Sequence, residues 1–298
     1  MTVREGTVDS GGVKLHYLDW GGDGPPLILL HATGFLARLW QPIAEQLTER
    51  FRIVAYDQRG HGDSDNPPDG YTFEQFADDL DAVIRGLELD RAGGARDAAS
   101  IVAAGHSSGA STIAVHAAHY PGVITRATLI EPILPHKNMW RNAPANANER
   151  AEQARKRRAV WTSTNEMFES FRSRSPFDTW REDVLRIYIE EGTRARPDGQ
   201  VELKCPPHLE AKYYEAVREA DFMPLLAKVQ IPLLLVWGQH NELQKRMGYA
   251  ISQALKYAVS FTMPGTTHFP PQEQPDEIAE LLKRDSIFIP SLAQASSS

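Results

Sequence analysis

Hydrophobic and polar positions change rhythm along the chain. Val13, Leu15 and Tyr17 alternate with Lys14 and His16, the period of two that marks a half-buried strand. Val3–Val8 precedes them across Ser10-Gly11-Gly12, a turn whose glycines admit positive φ, so the two stretches predict a β-hairpin. After GGDGPP the alternation stops. Leu27–Leu30 is uninterrupted apolar sequence and Phe51–Tyr56 is nearly so, which predicts strands covered on both faces, as in a parallel sheet. Helical spacing then takes over. Thr72 with Gln75 reads as a capping box, and Phe73, Phe76, Ala77, Leu80, Val83, Ile84 and Leu87 follow on one face. A strand at Ile101–Gly105, a helix at Ala110–His119 and a strand at Ala127–Ile130 continue the alternation. Strands at Ile231–Trp237 and Val259–Met263 and a helix over Asp276–Lys283 complete it. Alternating strands and helices predict an α/β fold, with a mostly parallel central sheet and helices on both faces.

Residues 135–230 break this rhythm. The stretch is rich in charge and helix formers, which predicts a helical insertion between two parts of one core, residues 1–134 and 231–298. Trp140, Trp161, Phe168, Phe171, Trp180, Tyr188, Tyr213 and Tyr214 are spread through it, either as its own core or as the lining of a pocket. Trp161 is taken as the candidate substrate contact. The basic run Arg155–Arg158 reads as a solvated helix face. No internal repeat is present.

Composition narrows the function classes. The chain has 298 residues, 42% hydrophobic and 24% charged, with a formal net charge of -7, so nothing favours nucleic acid or an anionic membrane as partner. One cysteine, Cys205, excludes an intrachain disulfide and suits a reducing cytoplasm. The polar start, MTVREGTVDSGG, lacks the apolar stretch of a signal peptide, and the closing ASSS is expected to fray. No apolar run approaches the roughly 20 residues of a membrane span.

Candidate chemistry begins at Gly105-His106-Ser107-Ser108-Gly109, a G-x-S-x-G pattern between a predicted strand and a predicted helix. A serine on a sharp strand-to-helix turn is exposed for attack, and the helix start offers free N–H groups to a developing oxyanion. Serine needs a base. His268, in MPGTTHFPP, follows the last predicted strand, where strand ends converge. His116 and His119 share a helix face without a further metal-ligand pattern, and HExxH, P-loop and Rossmann fingerprints are absent, so no metal or cofactor is expected.

Taken in order, HATGF, YDQRGHGDSD, GHSSG and GTTHF resemble the α/β-hydrolase superfamily across nearly the whole chain. The resemblance implies an oxyanion hole from the N–H groups of Ser108 and Thr33, with Ala32 where many relatives have glycine. It also implies a cap over the pocket for the insertion, and a mainly structural role for Asp57, Arg59 and His61. A serine at the elbow points to acyl transfer rather than to the alkyl-enzyme chemistry of haloalkane dehalogenases and epoxide hydrolases. Carboxylic esters or lactones are the expected small-molecule substrates. GHSSGAST, with a glutamate after the next strand, is similar to the zearalenone-lactonase branch. Carbon–carbon bond hydrolysis, perhydrolysis and a non-catalytic ligand-binding role remain alternatives.

The acid that would orient His268 is the open position. Many relatives carry it in a pattern like W-G-x-x-D, and here Trp237-Gly238 leads to Asn241. Glu131, directly after a predicted strand, is the replacement that the resemblance to dehalogenases and lactonases favours. Glu242 in the same loop as Asn241 is the second choice, and Asn241 itself, whose amide can orient an imidazole without charge, or another group is the third.

Overall fold

The computed structural model describes residues 2–91, 100–136 and 148–288, with backbone alone at 242–246, 249 and 285–288. Trp140, the Glu242 side chain and the closing serines lie outside what is described. The predicted hairpin is strands β1 (Arg4–Ser10) and β2 (Val13–Gly21), antiparallel and in register from Arg4 opposite Asp19 to Ser10 opposite Val13. Strands β3 (Pro26–Leu30), β4 (Arg52–Tyr56), β5 (Ile101–His106) and β6 (Ile124–Ile130) follow. Three short strands come next, β7 (Val160–Trp161), β8 (Thr193–Ala195) and β9 (Val201–Leu203). The last are β10 (Leu233–Gly238) and β11 (Ala258–Met263). Eight of them form one sheet in the order β1-β2-β4-β3-β5-β6-β10-β11, parallel from β4 to β11. β2 joins it antiparallel, with a bulge between Asp19 and Gly21.

The apolar runs are strands because both their faces are buried. Ile28, Leu30, Val54, Tyr56 and Ala103 point into one apolar layer, and their neighbours Leu27, Leu29, Ile53, Ala55, Val102 and Ala104 into the other. Burying one such aliphatic side chain is worth about 1.5–3 kcal/mol. On the first face lie α2 (Phe73–Gly86) and α3 (Ser108–His119), counted after the short α1 (Gln41–Ala44) of the opposite face. Thr72 caps α2, its side chain accepting from the Gln75 N–H at 3.3 Å.

Between β6 and β10 the chain forms α4 (Glu149–Arg155), α5 (Thr164–Phe171), α6 (Glu182–Glu191), α7 (Pro207–Glu219) and α8 (Phe222–Leu226). In the same stretch β7, β9 and β8 form a three-stranded antiparallel sheet. Strands of two or three residues carry no readable period. The turn Pro197-Asp198-Gly199, with Gly199 at φ 80° and Arg196 N–H donating to Gln200 O, is the signal that marks the β8–β9 hairpin. The chain ends in α9 (Glu242–Ala254), α10 (Pro270–Glu273) and α11 (Pro275–Phe288). Among the described residues no helix is long and apolar enough to cross a membrane.

Candidate active site

The carboxyl ends of β5, β6 and β10 and the loop after β11 meet at one edge of the sheet. Ser107 sits at the turn from β5 to α3 with φ 54° and ψ -114°, a conformation that costs a non-glycine residue about 1–3 kcal/mol. Its N–H donates to Ile130 O at 2.9 Å, and Ser111 N–H to Ser107 O at 3.1 Å, so the strained residue is held from both sides. Gly109 permits the turn. A Cβ there would stand 2.6 Å from the backbone oxygens of Leu30 and His31, so only glycine lets the start of α3 pack against the end of β3.

His268 faces this serine. Its Nε2 lies 3.2 Å from Ser107 Oγ, and its Nδ1 lies 3.0 Å from Glu131 Oε2. Glu131 is fully buried and, like Ser107, holds a positive φ, of 52°. Its backbone N–H donates to Val236 O at 2.8 Å, and its Oε1 accepts from Gly238 N–H at 2.5 Å. Oε2 accepts from the Asn241 side-chain amide as well as from His268. Of the two residues weighed in the loop after β10, Asn241 is the one whose side chain is described. Asn241 stands against both Glu131 and His268, with its Nδ2 3.3 Å from Nδ1, and it serves the carboxylate as a donor. Gly238 brings β10 against the His268 loop, since a Cβ there would overlap the Thr267 carbonyl.

Ser108 is the first residue of α3, so its N–H belongs to the turn whose donors have no intrahelical acceptor. Thr33 lies in the loop after β3, and two buried histidines hold that loop. Gln58 N–H donates to His31 Nε2 at 3.0 Å, so His31 Nδ1 carries the proton and donates to Ala32 O at 2.8 Å. Gly34 N–H donates to His61 Nε2 at 2.8 Å, and His61 Nδ1–H donates to Arg59 O at 3.1 Å. Burial pushes both imidazoles down in pKa, that of His61 to about 3, and keeps them neutral. Asp57 ties the following turn, its Oδ1 accepting from Ala37 N–H at 2.7 Å, while Arg59 pairs with Asp79.

Other neighbours of the site were not singled out in the sequence, although they adjoin its motifs. His106, inside the elbow pattern, donates from Nε2 to His268 O at 2.7 Å, and its burial lowers its pKa well below the ordinary value. Phe269 follows His268, and the two rings meet edge to face with centroids 5.2 Å apart. Phe35, from HATGF, packs against His106, Phe269, Trp180 and Tyr188. Trp161 belongs to the same buried cluster, but its ring contacts are with Phe171 and the guanidinium groups of Arg158 and Arg174.

The basic run divides. Arg158 is half exposed, whereas Arg157 is mostly buried, donating to Glu210 at 2.7 Å and to the Tyr188 hydroxyl. His16, Asp57 and Asp63 bring ligand-type atoms within 4.8 Å of one another, but these are engaged internally, His16 with Asp57 at 2.9 Å and Asp63 with Lys204 at 2.6 Å.

A sheet of this order, with a serine elbow at β5 and a histidine after β11, defines an α/β-hydrolase. Residues 27–281 match the alpha/beta hydrolase family, and the chain belongs to it. It is 27% identical over 275 residues to a 2-(acetamidomethylene)succinate hydrolase of Mesorhizobium japonicum, covering 90% of each chain. It is 25% identical over 281 residues to a bifunctional esterase/perhydrolase of Acinetobacter calcoaceticus, covering 90% of this chain and 94% of that one. The crystal structure of an E-2-(acetamidomethylene)succinate hydrolase superposes with a TM-score of 0.80 at 23% identity, over 96% of this chain and 99% of the other. Family and relatives support hydrolase activity without selecting the bond that is cleaved.

Proposed function

We propose that the chain is a serine hydrolase that cleaves carboxylic esters or lactones through an acyl-enzyme on Ser107. The observation that carries this reading is the continuous relay from Ser107 Oγ to His268 Nε2 at 3.2 Å and from His268 Nδ1 to Glu131 Oε2 at 3.0 Å. Ser107 Oγ attacks the carbonyl carbon as His268 Nε2 takes its proton. Glu131 holds Nδ1–H and balances the imidazolium charge, so the base is aimed and stabilised together. The N–H groups of Ser108 and Thr33 receive the oxyanion. Collapse of the tetrahedral intermediate expels the alkoxide, which takes the proton from His268 and leaves the acyl group on Ser107. Water, deprotonated by His268, attacks the acyl carbonyl and releases the acid and the free serine.

The segment 135–230 serves in this reading as a cap over the site, and Phe35, Trp180 and Phe269 supply an apolar wall for the substrate. A single, buried cysteine fits the reducing cytoplasm as the setting. The test is a panel of p-nitrophenyl esters of increasing length with lactones and amides, run with and without hydrogen peroxide, on wild type and Ser107→Ala. Wild type is expected to hydrolyse esters or lactones and to be labelled by a phosphonate on Ser107 alone. Ser107→Ala is expected to lose on the order of a million-fold in kcat with its fold intact. Ester hydrolysis surviving at more than a few per cent in the variant rejects the assignment.

A further inference from the structure

Glu273, in α10, collects donors from two parts of the chain that lie far apart in sequence. Its Oε2 accepts from Thr267 N–H at 2.8 Å, and its Oε1 accepts from Thr267 Oγ1 at 2.6 Å and from Thr179 Oγ1 at 2.7 Å. Thr267 immediately precedes His268, and Thr179 immediately precedes Trp180, the tryptophan that packs on Phe35 and Phe269. The single hydroxyl hydrogen of Thr179 also has Pro176 O at 3.0 Å, but the carboxylate is nearer and charged. Further bonds lie along the same seam. Arg181 N–H donates to Gln272 O at 3.0 Å, and its guanidinium to Asp276 at 2.8 Å. The turn that carries Trp180 is thereby fastened to the loop that carries His268 through a run of residues from Gln272 to Asp276.

We propose that Glu273 is a positioning residue that couples seating of the Trp180 turn to placement of His268. A carboxylate with three donors is rigid only while all three are present, because each bond limits the rotation that would weaken the others. With Thr179 in place, Glu273 grips the backbone of Thr267 and holds His268 at its distance from Ser107. With the turn lifted, the carboxylate loses its outer donor and the His268 loop loosens. The base is thus held most firmly when the apolar wall is closed. This inference rests on the reading of His268 as base and of segment 135–230 as cap.

Thr179→Val, Glu273→Gln and the double variant test it, with two readouts. Thr179 is exposed, so its variant keeps the fold and removes the outer donor alone. Hydrogen exchange over 265–269 does not depend on activity. It is expected to accelerate by about threefold in Thr179→Val and by about tenfold in Glu273→Gln, the scale of losing part or all of one charge-assisted hydrogen bond. Ester kcat is expected to fall by similar factors with KM nearly unchanged, and the double variant to match Glu273→Gln. Wild-type exchange over 265–269 in Thr179→Val overturns the coupling, as does a double variant in which the two effects simply add. A fall in melting temperature with kcat unchanged overturns it too, since that describes a structural tie. Accelerated exchange in a protein that neither hydrolyses esters nor is labelled on Ser107 supports the clasp while rejecting the function.

Discussion

At the scale of single residues, the environment of Glu131 makes a strong demand on charge. Three donors converge on its carboxylate, from Gly238, Asn241 and His268, and burial removes water as a substitute. A glutamine in its place has one acceptor oxygen, so whichever way the amide is turned, an NH2 group faces a donor. Glu131→Gln is therefore expected to lower kcat by roughly ten-thousand-fold, as loss of the triad charge does in serine proteases, with Ser107 still present. Glu242→Gln is expected to change kcat by less than about twofold, because Glu131 already supplies the carboxylate beside His268 Nδ1. Steady-state kinetics on one ester decides, and the reverse ranking moves the orienting acid to the loop after β10. The candidates were legible as residue types: asparagine at the family's acid position left Glu131 and Glu242 as carboxylates. What the linear chain does not carry is which one lies against His268. That contact joins residues 137 apart in sequence and depends on how the end of β6 packs beside β10.

At the scale of elements, most of the sheet was readable because its strands are buried on both faces and its helices on one, so their periods differ cleanly. The loop after β3 was visible only as a motif, and the reason it holds its shape is tertiary. His31 and His61 act there as neutral acceptors of backbone N–H groups, a role that protonation abolishes. Their folded pKa values lie below the unfolded value, so the unfolded chain binds more protons in the window between them. Stability therefore rises with pH across that window and falls on acidification. With His61 at about 3 against 6.5 unfolded, the step from pH 7 to pH 5 removes about 2 kcal/mol through this residue. His106 and His116, lowered by burial, act in the same direction, while His16, raised beside Asp57, opposes them. Urea unfolding of wild type and His61→Gln at the two pH values is the check. Glutamine can offer an oxygen to Gly34 N–H without titrating, so the variant is expected to lose about 2 kcal/mol less on acidification. Equal losses in both proteins remove His61 from the account.

At the scale of the whole molecule, one apolar cluster runs from the loop after β3 into the segment between β6 and β10. Ala32, Phe35, Leu36 and Leu39 share it with Trp161, Phe171, Trp180 and Tyr188. The sequence showed these aromatics as candidates either for a core or for a pocket, and the structure sorts them by neighbour. Trp161 is packed by Phe171 and capped by Arg158 at 3.9 Å, within its own segment. Trp180 meets Phe35 at 5.1 Å and Phe269 at 5.7 Å, and Phe269 meets His268. Its indole N–H is buried without a hydrogen-bond partner among the described residues, which leaves a donor beside the apolar wall. Removing either ring costs packing, and under the proposed function the ring that adjoins Phe269 and so His268 is that of Trp180. Trp161→Ala is expected to destabilise by about 3–5 kcal/mol, the range for a buried tryptophan, and to leave relative kcat/KM for short and long p-nitrophenyl esters within about twofold. Trp180→Ala is expected to change that ratio by about tenfold, the effect of one or two methylene-sized differences in a hydrophobic pocket. Denaturant melts and the ester series, measured on both variants at a temperature where each is folded, separate the two roles. A ranking that shifts with Trp161 and not with Trp180 places the substrate wall deeper in the cap, on the side of α5 and β7.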